Sequence, residues 1–286
     1  MKIKKIFIRA AAALMLAVTV MAFPVSASSF KYDFPSDAVS VNVTLDGKSV
    51  LVGEAAIINS VTYIPLRSFA ELLGAESISW DQRTRTATVK KGNTTIKISD
   101  RVQYVEASGR FFYSSLPVRN IDNRIFVPIR VLCSAFCVDV KWNDAARRVE
   151  LTSTGKTLEI GESFYDKDDL YWLSRIISAE AGGESLKGKI AVGNVVLNRV
   201  GHRSYPNTIY GVIFDRKGGT QFTPVASGTI YKSPTAESVV AAKICLEGFS
   251  IDENILFFMN PRIATNNWIS KNRPFAFRVG NHSFYY

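Results

Sequence analysis

The amino-acid sequence predicts an α+β protein of two domains, a duplicated strand–helix–strand module followed by a mainly helical domain. Two observations predict it: a block of strand and helix signals recurs within residues 41–160, and apolar residues recur at helical spacing after residue 163. A chain of 286 residues is long enough for two ordinary domains, each with its own core. Its hydrophobic content of 47% argues against disorder as the main state.

Residues 1–27 have the features of a secretory signal peptide. The positively charged start consists of Lys2, Lys4, Lys5 and Arg9. The apolar stretch Ala10–Phe23 follows, and Ala27 supplies the small residue of a cleavage site. Because this stretch is too short to cross a bilayer comfortably, we expect cleavage rather than an uncleaved membrane anchor. The mature protein is therefore expected to be secreted and extracellular, without stable membrane insertion.

The net charge of +10 at pH 7 makes the chain basic. Nucleic acid is the usual first partner to consider for a basic chain, but export makes that partner a poor choice, and we expect none. Cell walls carry carboxylates and often phosphodiester polymers, which a mildly basic surface suits. A surface that simply keeps the protein soluble explains the charge equally well.

An internal repeat organises residues 38–161, the predicted first domain. In the first copy a strand ends near Pro65, a helix follows and the next strand contains Trp80, whereas the second copy has Pro128 and Trp142 at these places. The prolines are 63 residues apart and the tryptophans 62. Each copy therefore predicts a strand, a helix that begins at the proline, a strand, a turn and a further strand.

The Pro-x-Arg and Trp-Asp/Asn motifs of both copies resemble the copper amine oxidase N-terminal-like domain. Residues 41–160 contain no histidine and no methionine, so a credible set of copper ligands is lacking. The two thiols, Cys133 and Cys137, align with Ala70 and Gly74, which predicts a helix that packs closely on the sheet through small residues. We therefore expect a non-catalytic module for wall attachment or positioning, whose ligand the sequence does not identify.

Residues 163–286 form the predicted second domain. Apolar spacing predicts a helix over 169–181, with an aspartate among residues 166–169 as its cap and a glycine pair after its end. Further helices are predicted over 185–200 and over 233–247, the latter with Pro234 as its first helical residue. Residues 256–286 are rich in aromatic residues, Asn and Arg, which predicts irregular structure with short strands.

Glu180 is the candidate catalytic residue. It lies at the end of an apolar helix, between two alanines and just before the glycine pair. Burial and the negative end of the helix dipole both disfavour a carboxylate, so we expect a raised pKa. A raised pKa suits a general acid for cleavage of a glycosidic bond. A solvated glutamate at a helix end is the alternative interpretation.

From Trp172 onward the chain resembles the SleB-type cell-wall hydrolase family of spore cortex-lytic enzymes. The motifs that carry the resemblance come in order along the chain: Ala179-Glu180-Ala181, Gly183-Glu184, Val196-Leu197-Asn198-Arg199-Val200, Gln221-Phe222, Phe258-Met259-Asn260-Pro261, Trp268 and Gly280-Asn281-His282-Ser283-Phe284-Tyr285. Gly182 is a departure, because many members have arginine there. The glycine at this position puts in doubt a surface contact that the family has, and it does not affect the assignment of the catalytic acid.

The resemblance implies a lysozyme-like domain that cuts the glycan strands of peptidoglycan, in the vegetative wall or in the spore cortex during germination. Glu180 matches the catalytic glutamate of the family. Such enzymes resemble lytic transglycosylases, in which one acid protonates the bond between N-acetylmuramic acid and N-acetylglucosamine. The same residue then takes the proton of the muramic C6 hydroxyl, which closes a 1,6-anhydro ring. No second carboxylate is needed for this reaction.

Three alternatives stay open. A hydrolytic muramidase uses two carboxylates at a defined separation. The candidates for the second carboxylate are Glu184, Asp215, Glu237 and Asp252. A catalytically inactive wall-binding protein is the second alternative, although it would have no reason to keep Glu180. The third alternative, a copper enzyme, is suggested only by the name of the family that the first domain resembles.

The resemblance and the chemistry of the residues together give the rest of the expected site. The expected substrate-binding residues are Gln221, Phe222, Asn260, Trp268, His282 and Tyr285. Glu184 and Asn198 are expected to support the loop around Glu180, and Arg199 is expected to be an ordinary helix-surface or pairing residue. We expect no cofactor and no metal, with peptidoglycan as the partner and the cell wall or spore envelope as the location. The sequence does not identify a protein partner, an oligomeric state or a mode of regulation.

Overall fold

The computed structural model describes residues 30–217, 219 and 221–286, so the predicted signal peptide lies outside the described residues. The N-terminal half is rich in strands and contains two helices. Its strands are β1 (Val39–Ser40), β2 (Asn42–Leu45), β3 (Lys48–Val50), β4 (Ala56–Ile58), β5 (Val61–Pro65), β6 (Ser77–Asp81), β7 (Thr86–Lys91), β8 (Thr94–Ser99), β9 (Tyr104–Ala107), β10 (Arg110–Tyr113), β11 (Arg119–Ile121), β12 (Arg124–Pro128), β13 (Val138–Asn143) and β14 (Arg148–Ser153). Its helices are α1 (Leu66–Leu72) and α2 (Ile129–Phe136).

The strands of this half form three sheets with the orders β1-β4-β5-β12-β11, β10-β9-β8-β7-β6 and β13-β14-β2-β3. Strands β5 and β12, one from each repeat, pair antiparallel in the first sheet. Helices α1 and α2 meet in the core, where the rings of Phe69 and Phe136 lie 5.5 Å apart in a T-shaped contact. The two repeats therefore share one hydrophobic core rather than folding as separate units.

The predicted repeat is present as β5-α1-β6-β7 and β12-α2-β13-β14. Pro65 and Pro128 are the last residues of their strands and the N-caps of the helices, with ψ of 127° and 125°. The proline thus stands one position before the first helical residue. Its fixed φ of −72° or −53° suits the extended conformation that a cap adopts.

The prediction that Cys137 is small because helix α2 packs closely on the sheet is wrong. For Cys133 the same prediction is compatible with the structure, because Cys133 is completely buried. Cys137 is the C-cap of α2 with φ of 55°, and Gly74 follows α1 with φ of 75°. Both positions are therefore left-handed ends of a helix, where glycine is favoured and a β-branched side chain is strained. Backbone conformation, not close packing on the sheet, explains a small residue at this repeat position.

The C-terminal half is mainly helical and ends in a small sheet. Its helices are α3 (Gly161–Phe164), α4 (Lys167–Ala181), α5 (Leu186–Gly201), α6 (Ile209–Phe214), α7 (Thr223–Ser227), α8 (Ala236–Leu246) and α9 (Trp268–Asn272), with a 3₁₀ turn at Thr229–Tyr231. The sheet has the order β15 (Phe257–Met259), β17 (His282–Tyr285) and β16 (Phe275–Val279). The predicted α+β class, strand-rich and then helical, is confirmed.

Helix ends in this half follow local capping chemistry. The Asp166 side chain accepts hydrogen bonds from the N–H groups of residues 168 and 169 at the start of α4, and Ser185 caps α5. Helix α8 starts later than predicted because the cap is Thr235, so Pro234 lies before the helix rather than at its first position. Within the described residues, no helix is long and apolar enough to cross a membrane.

Helices α4, α5 and α8 pack closely around a core that contains Ile177, Ile190 and Cys245. The closest approach is at Gly193, where a Cβ atom would lie 2.6 Å from the Cys245 sulfur and 2.9 Å from Ile177 Cδ1. A larger residue there would push these helices apart. Because α4 carries Glu180 at its end, this packing fixes the direction in which the candidate acid is presented.

The two halves are joined by polar and aromatic contacts between β10 and the end of α8. Arg110 donates two hydrogen bonds to the Glu247 carboxylate, at 2.9 and 2.7 Å, and both side chains are largely buried. Tyr165 donates a third hydrogen bond to Glu247 at 2.6 Å. The ring of Tyr113 lies 4.6 Å from that of Phe249 and belongs to the helical core. The N-terminal half therefore covers part of the helical domain's apolar surface.

Candidate functional site

A cleft of about 1020 Å³ opens at the end of α4. It is bordered by the α4–α5 loop, by Lys217 and residues 221–229, and by the segment from β15 to α9. The predicted site residues that line it are Glu180, Glu184, Gln221, Phe222, Asn260, Trp268 and His282. Residues far apart in the sequence thus converge on one concave surface that is long enough for an extended ligand.

Glu180 is partly buried at the last turn of α4 and lines the cleft. Within the described part of the chain its carboxyl group has no hydrogen-bond or ion-pair partner. Burial raises the pKa of Glu180 from 4.5 to about 7, and no charged neighbour contributes to the shift. Near neutral pH this carboxyl group therefore exists in both protonation states, as a general acid and base requires.

Glu184 has the opposite environment, although it lines the same cleft. Its side chain is 10% exposed and accepts hydrogen bonds from the Asn281 side chain at 2.9 Å and the Asn281 backbone N–H at 3.3 Å. Burial alone would raise the pKa of Glu184, but the bonds from Asn281 and the nearby cations outweigh it and lower the pKa. Glu184 thus connects the α4–α5 loop to the β16–β17 turn as an ionised clamp.

The clamp requires a glycine at the turn. Gly280 has φ of +56°, and a Cβ atom there would lie 1.9 Å from Glu184 Oε2. Gly280 therefore allows the carboxylate to approach the turn backbone closely. Gly182, the residue that departs from the family pattern, does not line the cleft, and a Cβ atom there would lie 2.5 Å from the Ser178 carbonyl oxygen.

His282 lies between the clamp and the cleft. Its ring is 7% exposed, stands edge-on to Phe258 at 5.4 Å, and has Nδ1 4.0 Å from Glu184 Oε1. Burial lowers the pKa of His282, which Glu184 only partly opposes. Its Nδ1 has no hydrogen-bond partner among the described residues.

Gln221 and Phe222 also line the cleft. The Gln221 side-chain amide donates to the carbonyl oxygens of Lys217 and Gly219, at 3.1 and 3.4 Å, and so closes the glycine-rich turn. The amide oxygen makes no hydrogen bond within the described residues, which leaves an acceptor for a ligand. Phe222 is 2% exposed and is the N-cap residue of α7, so it forms the wall beneath that acceptor.

Trp268 and Asn260 line the far end of the cleft. Trp268 is 49% exposed and begins α9, with its ring 5.3 Å from the Arg273 guanidinium. Such a supported, exposed ring offers an apolar face to a sugar. Asn260 accepts a hydrogen bond from the Arg262 N–H at 3.0 Å, which leaves its amide NH₂ group for a ligand.

Two of the expected residues lie elsewhere. Tyr285 is 6% exposed, packs edge-on against Phe275 at 5.8 Å and does not line the cleft. Its neighbours in β17 are also buried, and of the four residues of this strand only His282 lines the cleft. Asn198 donates to the carbonyl oxygens of Asp252 and Ile255, at 3.0 and 2.9 Å. It therefore holds the loop before β15 and not the loop around Glu180.

Arg199 is the residue whose importance the sequence analysis missed. It is 5% exposed, lines the cleft and donates through Nε to the Leu256 carbonyl oxygen at 2.8 Å. Its guanidinium lies among three aromatic rings, those of Tyr205, Phe222 and Phe257, at 5.0 to 5.5 Å. Arg199 therefore holds the aromatic floor of the cleft. The signal in the sequence that indicates a role for Arg199 is its position inside the Asn198-Arg199 motif, which is part of the family resemblance.

The other three carboxylates considered for a water-using enzyme do not line the cleft. Glu237 pairs with Lys189 at 2.6 Å, Asp252 accepts from the Tyr286 hydroxyl at 3.0 Å, and Asp215 accepts from the Lys217 N–H at 2.8 Å. Of the four candidates, Glu184 alone reaches the cleft. In the described ranges no group of three or more His, Cys, Asp or Glu side chains is placed to hold a metal ion.

Two families match the chain. Residues 183–285 match the family described as Cell Wall Hydrolase, and residues 44–151 match the Copper amine oxidase N-terminal domain. The two matched ranges agree with the strand-rich and helical halves of the structure. The predicted resemblance is therefore confirmed for both halves.

Individual relatives match the C-terminal half. The spore cortex-lytic enzyme of Bacillus cereus is 37% identical over 120 residues, which cover 42% of this chain and 45% of that protein. The enzyme of the same name from Bacillus subtilis is 35% identical and is covered to 38%. This chain thus matches less than half the length of these curated relatives.

Two solved structures also match this half. The catalytic domain of the germination-specific lytic transglycosylase SleB from Bacillus anthracis is 35% identical, covers 45% of this chain and 100% of that chain, and has a TM-score of 0.39. The catalytic domain of Bacillus cereus SleB is 36% identical, covers 43% of this chain and 92% of that chain, and has a TM-score of 0.38.

Proposed function

Because the C-terminal half belongs to the cell-wall hydrolase family, we propose that this protein cleaves the glycan strands of peptidoglycan, with Glu180 as the catalytic acid and base. The observation that carries the proposal is the state of Glu180: an unpaired carboxyl group in the cleft, with its pKa raised to about 7. The relatives named as spore cortex-lytic enzymes support the same substrate class.

The first step is protonation of the glycosidic oxygen by Glu180. The leaving N-acetylglucosamine hydroxyl needs this proton, since an alkoxide is a poor leaving group. Burial raises the pKa of Glu180, so that a large fraction of its carboxyl groups is protonated near neutral pH and can donate this proton. The cleft positions the strand through Gln221 and Trp268, an amide acceptor and an exposed ring that line the same cleft as the acid.

We infer that the second step is intramolecular, as in a lytic transglycosylase. Glu180, now a carboxylate, takes the proton of the muramic C6 hydroxyl, whose oxygen bonds to C1 and closes a 1,6-anhydro ring. The bond between C1 and the glycosidic oxygen breaks, and no water enters the products. The environment of Glu184 supports this pathway, since Asn281 donates a hydrogen bond to each of its oxygens and so occupies part of their capacity to accept from water.

A hydrolytic muramidase is the second candidate, because Glu184 lines the same cleft as Glu180. In that reaction Glu184 would serve as the base that activates a water molecule. Its lowered pKa would suit a base, but its bonds to Asn281 would have to be broken or shared.

Mass spectrometry of the products separates the two reactions. Purified peptidoglycan is digested with the full chain, and the soluble muropeptides are analysed. The transglycosylase reaction yields 1,6-anhydromuramic ends, which are lighter by one water molecule than the reducing ends of a hydrolase. Reducing ends alone would reject the transglycosylase mechanism and favour Glu184 as the second carboxylate. Absence of any cleavage would favour an inactive wall-binding protein.

We further propose that the protein acts outside the membrane, on the wall or the spore cortex, after removal of residues 1–27. The charge pattern and apolar stretch of those residues support export. N-terminal sequencing of the secreted protein should begin at or near Ser28. Retention of the full-length chain in the cytoplasm would contradict this.

A further inference from the structure

The N-terminal domain carries a basic groove that the proposed catalytic reaction does not use. A cavity of about 460 Å³ lies where α1 and β6 of the first repeat meet the β11–β12 turn of the second. It shares Arg85, Asn120 and Asn123 with an adjoining cavity of about 550 Å³. The two cavities are therefore one continuous depression, which we call the arginine groove.

Arginines dominate the lining of the arginine groove. They are Arg67, Arg85, Arg101, Arg119 and Arg124. The single acidic residue in the lining is Asp100, whose side chain is 1% exposed and pairs with Arg85. Exposed Glu71 pairs with Arg67 at 3.5 Å. An ion pair between two exposed side chains has a weak interaction energy in water, so Glu71 neutralises Arg67 only weakly. The groove therefore presents a net positive charge to any ligand.

Three of these arginines have no carboxylate partner. Arg101, Arg119 and Arg124 form no ion pair within the part of the chain that the structure describes. Arg124 lies 5.0 Å from the ring of Tyr32, and Arg119 lies 5.4 Å from the ring of Tyr63. These rings hold the guanidinium groups in place without neutralising them. Planar, preoriented guanidinium groups are well suited to carboxylates and phosphates.

Trp80 gives the groove an exposed aromatic surface. It is 41% exposed, and its indole N–H is already used in a 2.8 Å hydrogen bond to the Gln82 side chain. An exposed ring whose polar atom is satisfied offers its apolar face, which suits the C–H face of a sugar or polyol. The amides of Asn120 and Asn123 make no side-chain hydrogen bonds among the described residues and can bind hydroxyl groups.

The second repeat shows that this surface is not a general consequence of the fold. Its equivalent tryptophan, Trp142, is more buried and donates its indole N–H to the Asp144 carboxylate at 2.7 Å. Asp144 occupies the position that Gln82 has in the first repeat, so the second copy presents a negative charge beside its tryptophan. Trp142 and Asp144 do not line either cavity. An exposed indole ring beside an uncharged hydrogen-bond partner is thus found at Trp80 and not at Trp142.

We propose that the arginine groove binds an anionic polymer of the cell wall, a sugar or polyol chain that carries carboxylates or phosphodiesters. Its two adjoining cavities offer room for successive units of a chain. The choice of a wall polymer rests on the proposed function of the C-terminal domain. Binding at the groove holds the enzyme on its substrate while the cleft in the other domain cuts.

The test is co-sedimentation of the full chain with purified cell walls. Every protein carries Glu180→Gln, so that the walls stay intact. Arg124→Ala should weaken retention about 10- to 100-fold, the usual cost of a lost charge-assisted contact, and Trp80→Ala should weaken it as well. The matched control is Arg130→Ala, which removes the exposed arginine that stands in α2 where Arg67 stands in α1. Thermal unfolding curves identify any variant that has lost its fold, in which case Arg101→Ala replaces it.

Two wall preparations distinguish the sources of the negative charge. Retention that survives removal of the phosphodiester polymers by hydrofluoric acid assigns the groove to peptidoglycan carboxylates. Retention that is lost with those polymers assigns it to their phosphates. Folded Arg124→Ala and Trp80→Ala proteins that bind like their parent would overturn the proposal. Equal competition by double-stranded DNA at the same charge concentration would also overturn it, because it would show non-specific attraction.

A separate assay keeps this proposal distinct from the proposed function. The groove variants are also made with Glu180 present and are given short soluble glycan fragments that occupy the cleft alone. These fragments should be cut at the wild-type rate. Failure to cut them with wild-type Glu180, together with normal wall binding, would count against the proposed function and leave the groove assignment standing.

Discussion

The end of helix α4 and the loop that follows it place two glutamates four residues apart in opposite environments. Glu180 is partly buried, has no hydrogen-bond partner in the described chain and has a pKa raised to about 7. Glu184 is held by Asn281, and its pKa is lowered. The difference shows that sequence proximity does not assign a role to a carboxyl group. Hydrogen bonding distinguishes Glu180, the proposed catalytic acid, from Glu184, an anion that holds two loops together.

The largest expected effect is that of Glu180→Gln. The amide keeps the size of the side chain but cannot donate or accept the transferred proton, so release of muropeptides should fall by about 10²–10⁴-fold or more. The fold should tolerate the change, because the carboxylate of Glu180 is not stabilised by any described partner. Full activity of this variant would remove Glu180 from the mechanism.

The pH dependence of the rate sharpens the comparison. Because burial raises the pKa of Glu180 to about 7, the protonated acid is lost as the pH rises through that value. We therefore expect kcat/KM to fall above pH 7 by about tenfold for each pH unit. Glu184 should not contribute to this decrease in kcat/KM, because its lowered pKa keeps it ionised over the same pH range. A rate that rises through pH 7 would contradict the assignment of Glu180 as the acid.

Glu184→Gln tests the other half of the comparison. The variant loses charge-assisted bonds from Asn281, so the free energy of unfolding should fall by about 1–3 kcal/mol. A lowered pKa stabilises the fold above the ordinary value of 4.5, and this stabilisation is lost as the pH falls through the folded pKa. The difference in stability from the wild type should therefore shrink in acid.

The activity of Glu184→Gln matters as much as its stability. A structural clamp predicts a loss of about tenfold, well below that of Glu180→Gln, with the same type of product end. The two proteins are compared at a temperature where both are folded. Equal losses for the two variants would support a two-carboxylate hydrolase instead.

The smallest expected effect is that of Gly280→Ala. Its Cβ atom would lie 1.9 Å from Glu184 Oε2 and would push the clamp away from the turn. Gly248→Ala is the matched control, since Gly248 also has a positive φ, of +86°, but has nothing within 4 Å of the added Cβ. Both variants should lose about 1 kcal/mol from backbone strain, and Gly280→Ala should lose more. Equal unfolding free energies would show that the close approach to Glu184 has no energetic consequence.

Local signals predicted much of this molecule. The proline and tryptophan spacing predicted both repeats, and the aspartates before α4 predicted its cap at Asp166. The apolar surroundings of Glu180 predicted the direction of its pKa shift, and burial is the cause of that shift. Such features depend on neighbours in the sequence, which a pattern records.

Contacts between distant segments could not be predicted in the same way. The clamp joins residues 97 positions apart, Glu184 and Asn281, and no local pattern specifies it. Tyr285 was misplaced because an aromatic residue in a terminal motif gives no indication of which face of a strand it occupies. Arg199 was misjudged because its burial depends on rings from three different segments, which only the folded chain brings together.

The most direct measurement is a titration of the Glu180 carboxyl group by NMR on the full chain with ¹³C-labelled glutamate. The Glu180→Gln protein assigns the signal by its disappearance. We predict a midpoint at about pH 7 for Glu180 and a midpoint below 4.5 for Glu184 in the same spectra. A Glu180 midpoint at or below 4.5 would contradict the central claim, because the residue would then be an ordinary carboxylate without a proton to donate at neutral pH.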